Sequence, residues 1–228
     1  TLLVSRGGEP LDLPDVAGKS VLVRVDYNVP LRDDGTISDD YRIRSSLPTI
    51  RALLAESCKV VLISHLGRPD GKVDQKYSLE VVAQRLAELL RKPVRFVDRS
   101  IGPKVEMAIK RAPKVGVTVL ENLRFHAEEE ADDMEFARQL AHDSHADYFI
   151  QDGFGVVHRA HASTHAITLC LPSVAGLLLE HECMTITHAM QDPDRPLVAV
   201  LGGAKVSDKI GVIKAFADIA DRIVRGGV

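Results

Sequence analysis

Short β-branched runs alternate with longer stretches of helical period along most of this chain, and few architectures satisfy that alternation. Ser20 to Tyr27, Lys59 to Ser64, Val94 to Val97, Val117 to Glu121 and Tyr148 to Gln151 read as buried strands. Between two of them, Ser78 to Lys92 carries Leu79, Val82, Leu86 and Leu89 at helical spacing. Ser78 is the expected N-cap of that helix and Pro93 its stop. Further helices are expected at about Ser46 to Ser57, Pro103 to Lys110, Asp133 to Asp143 and Val174 to Met190. Strands that alternate with helices in this way predict parallel βαβ units with right-handed crossovers, so the expected fold is α/β, with a doubly wound parallel sheet.

The pattern breaks once. After the helix ending near Met190 comes the polar segment Gln191-Asp-Pro-Asp-Arg-Pro196, with two prolines, and a fresh strand at Leu197 to Leu201. Gly202-Gly203, a helix from about Val206 to Ala220 and a strand at Arg222 to Val224 complete one βαβ unit, which alone buries too little surface to close a core. The expected organisation is therefore a first domain over 1–172, an inter-domain helix and linker over 173–196, and the incomplete start of a second α/β domain over 197–228.

Composition removes several classes of function. Apolar residues at 45% and charged residues at 27% suit a globular core rather than a disordered or fibrous chain. Without an apolar run of about 18 residues, a membrane span is not expected. Thr1 to Gly8 lacks the layout of a secretory signal, and Cys58, Cys170 and Cys183 are odd in number with no CxxC spacing, which predicts a cytoplasmic location. The 29 Lys and Arg against 32 Asp and Glu, a net charge of −3, argue against nucleic acid as a partner. The absence of Trp and an aromatic content of 4% argue against stacking on single strands.

Polar residues recur at the carboxyl ends of the expected strands, which border the ligand crevice in open parallel sheets. In Arg24-Val-Asp-Tyr-Asn-Val-Pro30, alternation places Arg24, Asp26 and Asn28 on one face; the plainer alternative is an Asp/Asn turn. Ser64-His-Leu-Gly-Arg-Pro69 sets His65 and Arg68 in a turn, and Arg42 precedes a helix. Glu121-Asn-Leu-Arg-Phe-His126 places Arg124 past the next strand, and Arg159 lies between His158 and His161 after Tyr148 to Gln151. Any one of these arginines would pass for a surface residue. Together they suit an anion, because guanidinium forks match carboxylate and phosphate.

Two of the histidines stand at a metal-ligand spacing. His161 and His165 have the spacing of a metalloprotease pair, but Ala162 stands where the catalytic Glu belongs and Arg159 would repel a cation, so no metal site is expected. Leu201-Gly-Gly-Ala-Lys-Val-Ser-Asp-Lys209 joins a strand to a helix and matches neither GxxxxGK[ST] nor GxGxxG. On spacing alone it is a generic anion site, with Lys205 and Lys209 on one helix face, or else two solvated lysines.

Taken in order, these segments resemble the phosphoglycerate kinase family over essentially the whole chain. The resemblance implies a Rossmann-like parallel sheet with helices on both faces, followed by an inter-domain helix and the first βαβ unit of a nucleotide domain. It implies reversible phosphoryl transfer from 1,3-bisphosphoglycerate to ADP, giving 3-phosphoglycerate and ATP in glycolysis, by a cytoplasmic monomer. Asp26 and Asn28 would hold the hydroxyl and carboxyl end of the triose, and Arg42 would lie beside the acyl phosphate. His65 would line the patch, while Arg68, Arg124 and Arg159 clamp the 3-phosphate. Arg42 and Lys205 would be the catalytic pair, with Gly203, Lys205 and Lys209 on the nucleotide phosphates. Mg-ATP or Mg-ADP is the implied cofactor, although the family's Mg-binding loop has no counterpart in this sequence. Tyr27 stands where Phe is usual, and Gln151-Asp-Gly-Phe-Gly replaces the usual Asn-Asp-Ala-Phe-Gly. The expectation is thus a truncated form without useful turnover of its own; the alternative is a non-catalytic triose-phosphate-binding module.

Overall fold

The computed structural model describes residues 3–6, 9–12, 16–202 and 210–226. β1 (Leu3–Arg6) and β2 (Glu9–Asp12) form an antiparallel ribbon that the sequence pattern did not suggest. The chain continues through β3 (Ser20–Arg24), α1 (Tyr41–Ala55), β4 (Lys59–Ile63), α2 (Glu80–Leu90), β5 (Val94–Val97) and α3 (Pro103–Lys110). Then come β6 (Gly116–Leu120), the short α4 (Ala127–Glu130), α5 (Met134–Asp143), β7 (Tyr148–Gln151) and β8 (Ser173–Ala175). The last elements are α6 (Leu177–Gln191), β9 (Val198–Leu201), α7 (Ile210–Ala217) and β10 (Arg222–Arg225).

β3 to β8 make one six-stranded sheet in the order β5-β6-β4-β3-β7-β8, and every neighbouring pair is parallel. Period-two alternation divides the core between the two faces. Val21, Val23, Val60 and Leu62 pack with Ile43 and Ile50 of α1 and Val82 and Leu86 of α2. Leu22, Val61 and Ile63 point the other way, against Val105 and Ile109 of α3 and Phe136 and Leu140 of α5. Helices therefore cover both faces, as the strand–helix alternation predicts. From β3 the chain winds toward β4, and from β7 toward β8 on the opposite side. The carboxyl ends of β3 and β7 flank the reversal, the position where open α/β sheets take their ligands.

Several boundaries differ from expectation, each for a local reason. β3 ends at Arg24, and beyond it the Asn28 amide donates to Asp26 Oδ1 (3.2 Å), closing a turn instead of extending the strand. α1 starts at Tyr41, before the predicted Ser46, with the Tyr41 amide on Asp39 Oδ1 (2.8 Å) and Pro48 accommodated inside the helix. Ser78 is not the helix cap. Leu79 holds that position, and its amide donates to Glu121 Oε1 (2.9 Å) while the Ser78 hydroxyl donates to Glu121 Oε2 (2.9 Å). Val174 belongs to β8, paired with Ile150, and the helix predicted from there begins at Leu177.

The chain divides into two units, Thr1–Glu180 and His181–Val228. In the second, β9 and β10 pair in parallel. Among the described residues, no helix is long and apolar enough to cross a membrane.

Candidate functional site

The loops leaving β3, β4, β6 and β7 bring their polar residues to the carboxyl edge of the sheet. Arg24, the last residue of β3, is 1% exposed, so its charge is costly unless each N–H finds an acceptor. Nε donates to Ser163 Oγ (2.8 Å), Nη1 to the Val25 carbonyl and Ser64 Oγ, and Nη2 to His65 Nδ1 (3.1 Å). The counter-charge is Glu129 of α4, whose side chain is fully buried. Its Oε1 accepts from Ser163 Oγ (2.6 Å) and lies 3.9 Å from Arg24 Nη2, and its Oε2 accepts from the Ser163 amide (3.0 Å). Burial pulls the Arg24 guanidinium below its usual range, and Glu129 and Asp26 work against that shift.

Around this buried ion pair stand the residues expected at the site. Arg42 of α1 pairs with Asp26 through Nη1 and Oδ2. Asn28 Oδ1 accepts the Gly67 amide (2.9 Å), tying the loop after β3 to the loop after β4. Arg124 Nη1 donates to the Gly67 carbonyl (2.8 Å) and its Nε meets Glu130 Oε1 (3.1 Å). Gly67 is thus held from both sides, at φ +65, with the Tyr77 ring where a side chain would go: an added Cβ would lie 2.3 Å from Tyr77 Cδ1. This is a position where only glycine fits. Arg68 is exposed and Arg159 half-buried, and among the described residues neither guanidinium has a hydrogen bond or ion pair.

Electrostatics joins these groups into one site. Burial pushes His65 far below the ordinary histidine range, and the charges of Arg24, Arg124, Arg159 and Arg42 push it the same way. The Arg124 guanidinium is lowered first by burial, with Arg159 and Arg68 adding repulsion and Glu130 opposing. Arg24, Arg42, Arg124 and Arg159 all act on His65, and Arg68 and Arg159 act on Arg124, so these groups share one strongly positive field. The chemistry such a surface supports is the holding of a multiply charged anion, whose own charge would relieve the repulsion.

Asn28 Oδ1 spends one lone pair on the Gly67 amide, which leaves its second lone pair and its amide nitrogen for an outside partner. Gly203, Lys205 and Lys209 lie outside the described residues. Sequence reasoning missed Glu129 and Ser163 as site residues. Ala127-Glu-Glu-Glu130 looks like an ordinary acidic helix start, and nothing local marks the middle carboxylate as the one turned inward. Among the described residues, no group of three or more His, Cys, Asp or Glu is arranged to hold a metal ion. His165 instead meets Asp132 (2.6 Å), and His161 lies 3.9 Å from Glu129. The donor set at the described site, dominated by guanidiniums, does not fit Mg²⁺, which takes oxygen ligands.

The sequence family described as phosphoglycerate kinase matches residues 11–228. The phosphoglycerate kinase of Synechococcus sp. (strain CC9311) is 49% identical over 226 residues, covering 99% of this chain and 56% of the relative. That of Rippkaea orientalis is 53% identical over 214 residues, covering 93% of this chain and 53% of the relative. Among solved structures, phosphoglycerate kinase from Coxiella burnetii superposes with a TM-score of 0.79 at 35% identity, covering 94% of this chain and 53% of that one. The enzyme from Pyrococcus horikoshii OT3 gives 0.83 at 34% identity, covering 93% and 54%. The chain spans about half the length of the curated relatives it matches.

Proposed function

This chain belongs to the phosphoglycerate kinase family, and on that premise we propose that its six-stranded unit binds 3-phosphoglycerate and 1,3-bisphosphoglycerate. The protein's reaction is then reversible phosphoryl transfer from 1,3-bisphosphoglycerate to ADP. The observation that carries the binding assignment is the pair of guanidiniums, Arg68 and Arg159, that have no partner among the described residues, beside the buried Arg124 in one field of like charge. A terminal phosphate accepts several forked hydrogen bonds at once and cancels that repulsion. In this reading Arg68, Arg124 and Arg159 hold the 3-phosphate, and Asp26 with Asn28 orients the hydroxyl and carboxyl end. Arg42 faces the acyl phosphate, where charge spreads over the equatorial oxygens as the phosphoryl group passes. Positioning and charge neutralisation account for most catalysis of this reaction type. Gly203, Lys205 and Lys209 are proposed for the nucleotide phosphates by resemblance.

We read residues 1–172 as the triose-binding domain, 173–196 as the connection and 197–228 as part of the nucleotide-binding domain, in a monomeric protein of the cytoplasm. The odd number of cysteines, Cys58, Cys170 and Cys183, with no CxxC spacing among them, supports a reducing compartment. Titration calorimetry with 3-phosphoglycerate tests the site. Arg68→Ala and Arg159→Ala should each weaken binding by about 1.5–3 kcal/mol, roughly ten- to a hundredfold in Kd. Unchanged affinity in both variants refutes the pocket. A coupled assay for ATP formation, with Lys205→Ala as the control for contaminating enzyme, tests the reaction.

A further inference from the structure

An arginine side chain has donors and no acceptor, so whatever receives its N–H must offer a lone pair. Arg24 Nη2 lies 3.1 Å from His65 Nδ1, and that nitrogen must therefore be unprotonated. The other Arg24 donors leave it no freedom to turn away, being spent on Ser163, Ser64 and the Val25 carbonyl. Ser163 is itself clamped by both oxygens of the buried Glu129 carboxylate. The ring is 3% exposed, so rotation to an alternative partner is blocked as well. Its second nitrogen has a different environment. Among the described residues His65 Nε2 has no hydrogen-bond partner, yet it is not one of the sealed, unpartnered polar atoms, Gln151 Nε2 and Asp152 Oδ2, so it is not sealed. It is the polar end of the ring that reaches solvent.

We propose that Arg24, pinned by Ser163 and Glu129, is a positioning residue that locks His65 as the neutral Nε2–H tautomer, so that His65 meets the bound anion as an uncharged hydrogen-bond donor. The tautomer of a histidine is set by the bond its other nitrogen makes, and here that bond comes from a cation. The groups facing the ring all oppose a second proton: Arg24 from β3, Arg42 from α1, and Arg124 and Arg159 from the loops after β6 and β7. Glu129 is committed to Ser163 and Arg24. His65 consequently neither carries charge to the site nor accepts a proton there, and the positive charges that act on it are those of arginine. The assignment of the accepting oxygen to 3-phosphoglycerate rests on the function proposed above; the tautomer does not.

Long-range ¹H–¹⁵N spectra of the ligand-free 228-residue chain read the tautomer directly. The expected result is an unprotonated Nδ1 and a protonated Nε2, unchanged between about pH 5 and pH 8. A protonated Nδ1, or a titration within that range, overturns the proposal. The Arg24→Met variant should release the ring, giving mixed tautomers and a visible titration. If circular dichroism shows that this variant does not fold, Arg24→Met combined with Glu129→Gln removes the stranded carboxylate and takes its place. Calorimetry with 3-phosphoglycerate supplies the functional arm, comparing wild type with His65→Gln, whose amide keeps a neutral donor at the Nε2 position. The affinity ratio of the two should stay constant with pH, since the ligand's own phosphate titration cancels. A tenfold drift in that ratio overturns the proposal. Failure of wild type to bind 3-phosphoglycerate, with the ring spectrum as expected, instead refutes the binding reading alone.

Discussion

Asp152 sits immediately after β7 with its side chain turned away from solvent. Its Oδ1 accepts the Leu178 amide (2.9 Å) at the start of α6, and its Oδ2 is sealed without a partner. Burial raises this carboxyl to about 6, against smaller opposing contributions from the Thr49 hydroxyl and the α6 amides. The folded state therefore holds the proton more tightly than the unfolded chain does. The stability this provides is fully present below the ordinary carboxylate value of 3.8 and is lost as pH rises through about 6. A shift of that size corresponds to roughly 2–3 kcal/mol. Asp152→Asn keeps the acceptor for Leu178 and removes the charge, so the variant should gain on wild type above pH 6 and match it near pH 4. Chemical denaturation of both proteins across that range checks the difference, which cancels groups such as Asp40 and Asp98 that titrate lower and in the opposite sense. The raised carboxyl was not legible in the sequence. Asp152 was visible only as part of a departure from the family pattern, and its burial depends on Thr49 and α6 closing over it.

Element boundaries depend on contacts between segments far apart in the chain. Glu121 follows β6, yet its carboxylate satisfies the entry to α2 by accepting from Leu79 and Ser78, so the helix start is decided by a neighbouring strand. The start of α6 is built in the same way, with the Leu177 amide on Thr49 Oγ1 (3.0 Å) and the Leu178 amide on Asp152. Gly176 sits between β8 and this helix with the Asp152 carboxylate pressed against it: an added Cβ would lie 2.1 Å from Oδ1 and 2.6 Å from Cγ. Gly176→Ala must displace the carboxylate and break the α6 entry, and should cost about 1–3 kcal/mol as an overpacked site. Thermal denaturation beside Gly116→Ala, where an added Cβ would meet only Pro113 Cβ at 3.9 Å, provides the control. Helical period made the existence of α2 readable from Leu79, Val82 and Leu86, but its first residue was beyond period alone because the capping carboxylate comes from elsewhere.

Across the whole chain, burial is unevenly distributed. In the first unit both sheet faces are covered, and Val21, Leu22, Val23, Val60, Val61 and Leu62 are completely inaccessible. In the second, Ala199 is the buried hydrophobic residue among those described, while Val198, Val200, Ile210, Val212 and Val224 are exposed. Protection against amide exchange follows burial and contact density. Native-state hydrogen exchange should therefore find β3, β4 and β6 opening only near the global unfolding free energy, with β9 and β10 exchanging at far lower cost. Equal protection in the two sets would contradict this division. The crevice makes a second molecular-scale prediction: affinity for 3-phosphoglycerate should fall as ionic strength rises from about 0.01 to 0.15 M, since the screening length shrinks from roughly 30 to 8 Å. Calorimetry along a salt series measures it.

Sequence alone determined the α/β class, the parallel strands at Val94 to Val97 and Tyr148 to Gln151, the helix at Pro103 to Lys110, and the recurrence of arginine at strand ends. These follow from short-range periodicity and from residue chemistry, which act within a few positions. Tertiary structure alone decided that Arg24 is buried on Glu129 through Ser163, that Arg68 and Arg159 have no partner among the described residues while Arg124 and Arg42 find carboxylates, and that Glu121 and Asp152 hold the starts of α2 and α6. Each of these depends on which distant segment supplies the partner for a desolvated charge or an unpaired amide. Local pattern carries no information about that choice, because it is made only when the strands have taken their places in the sheet.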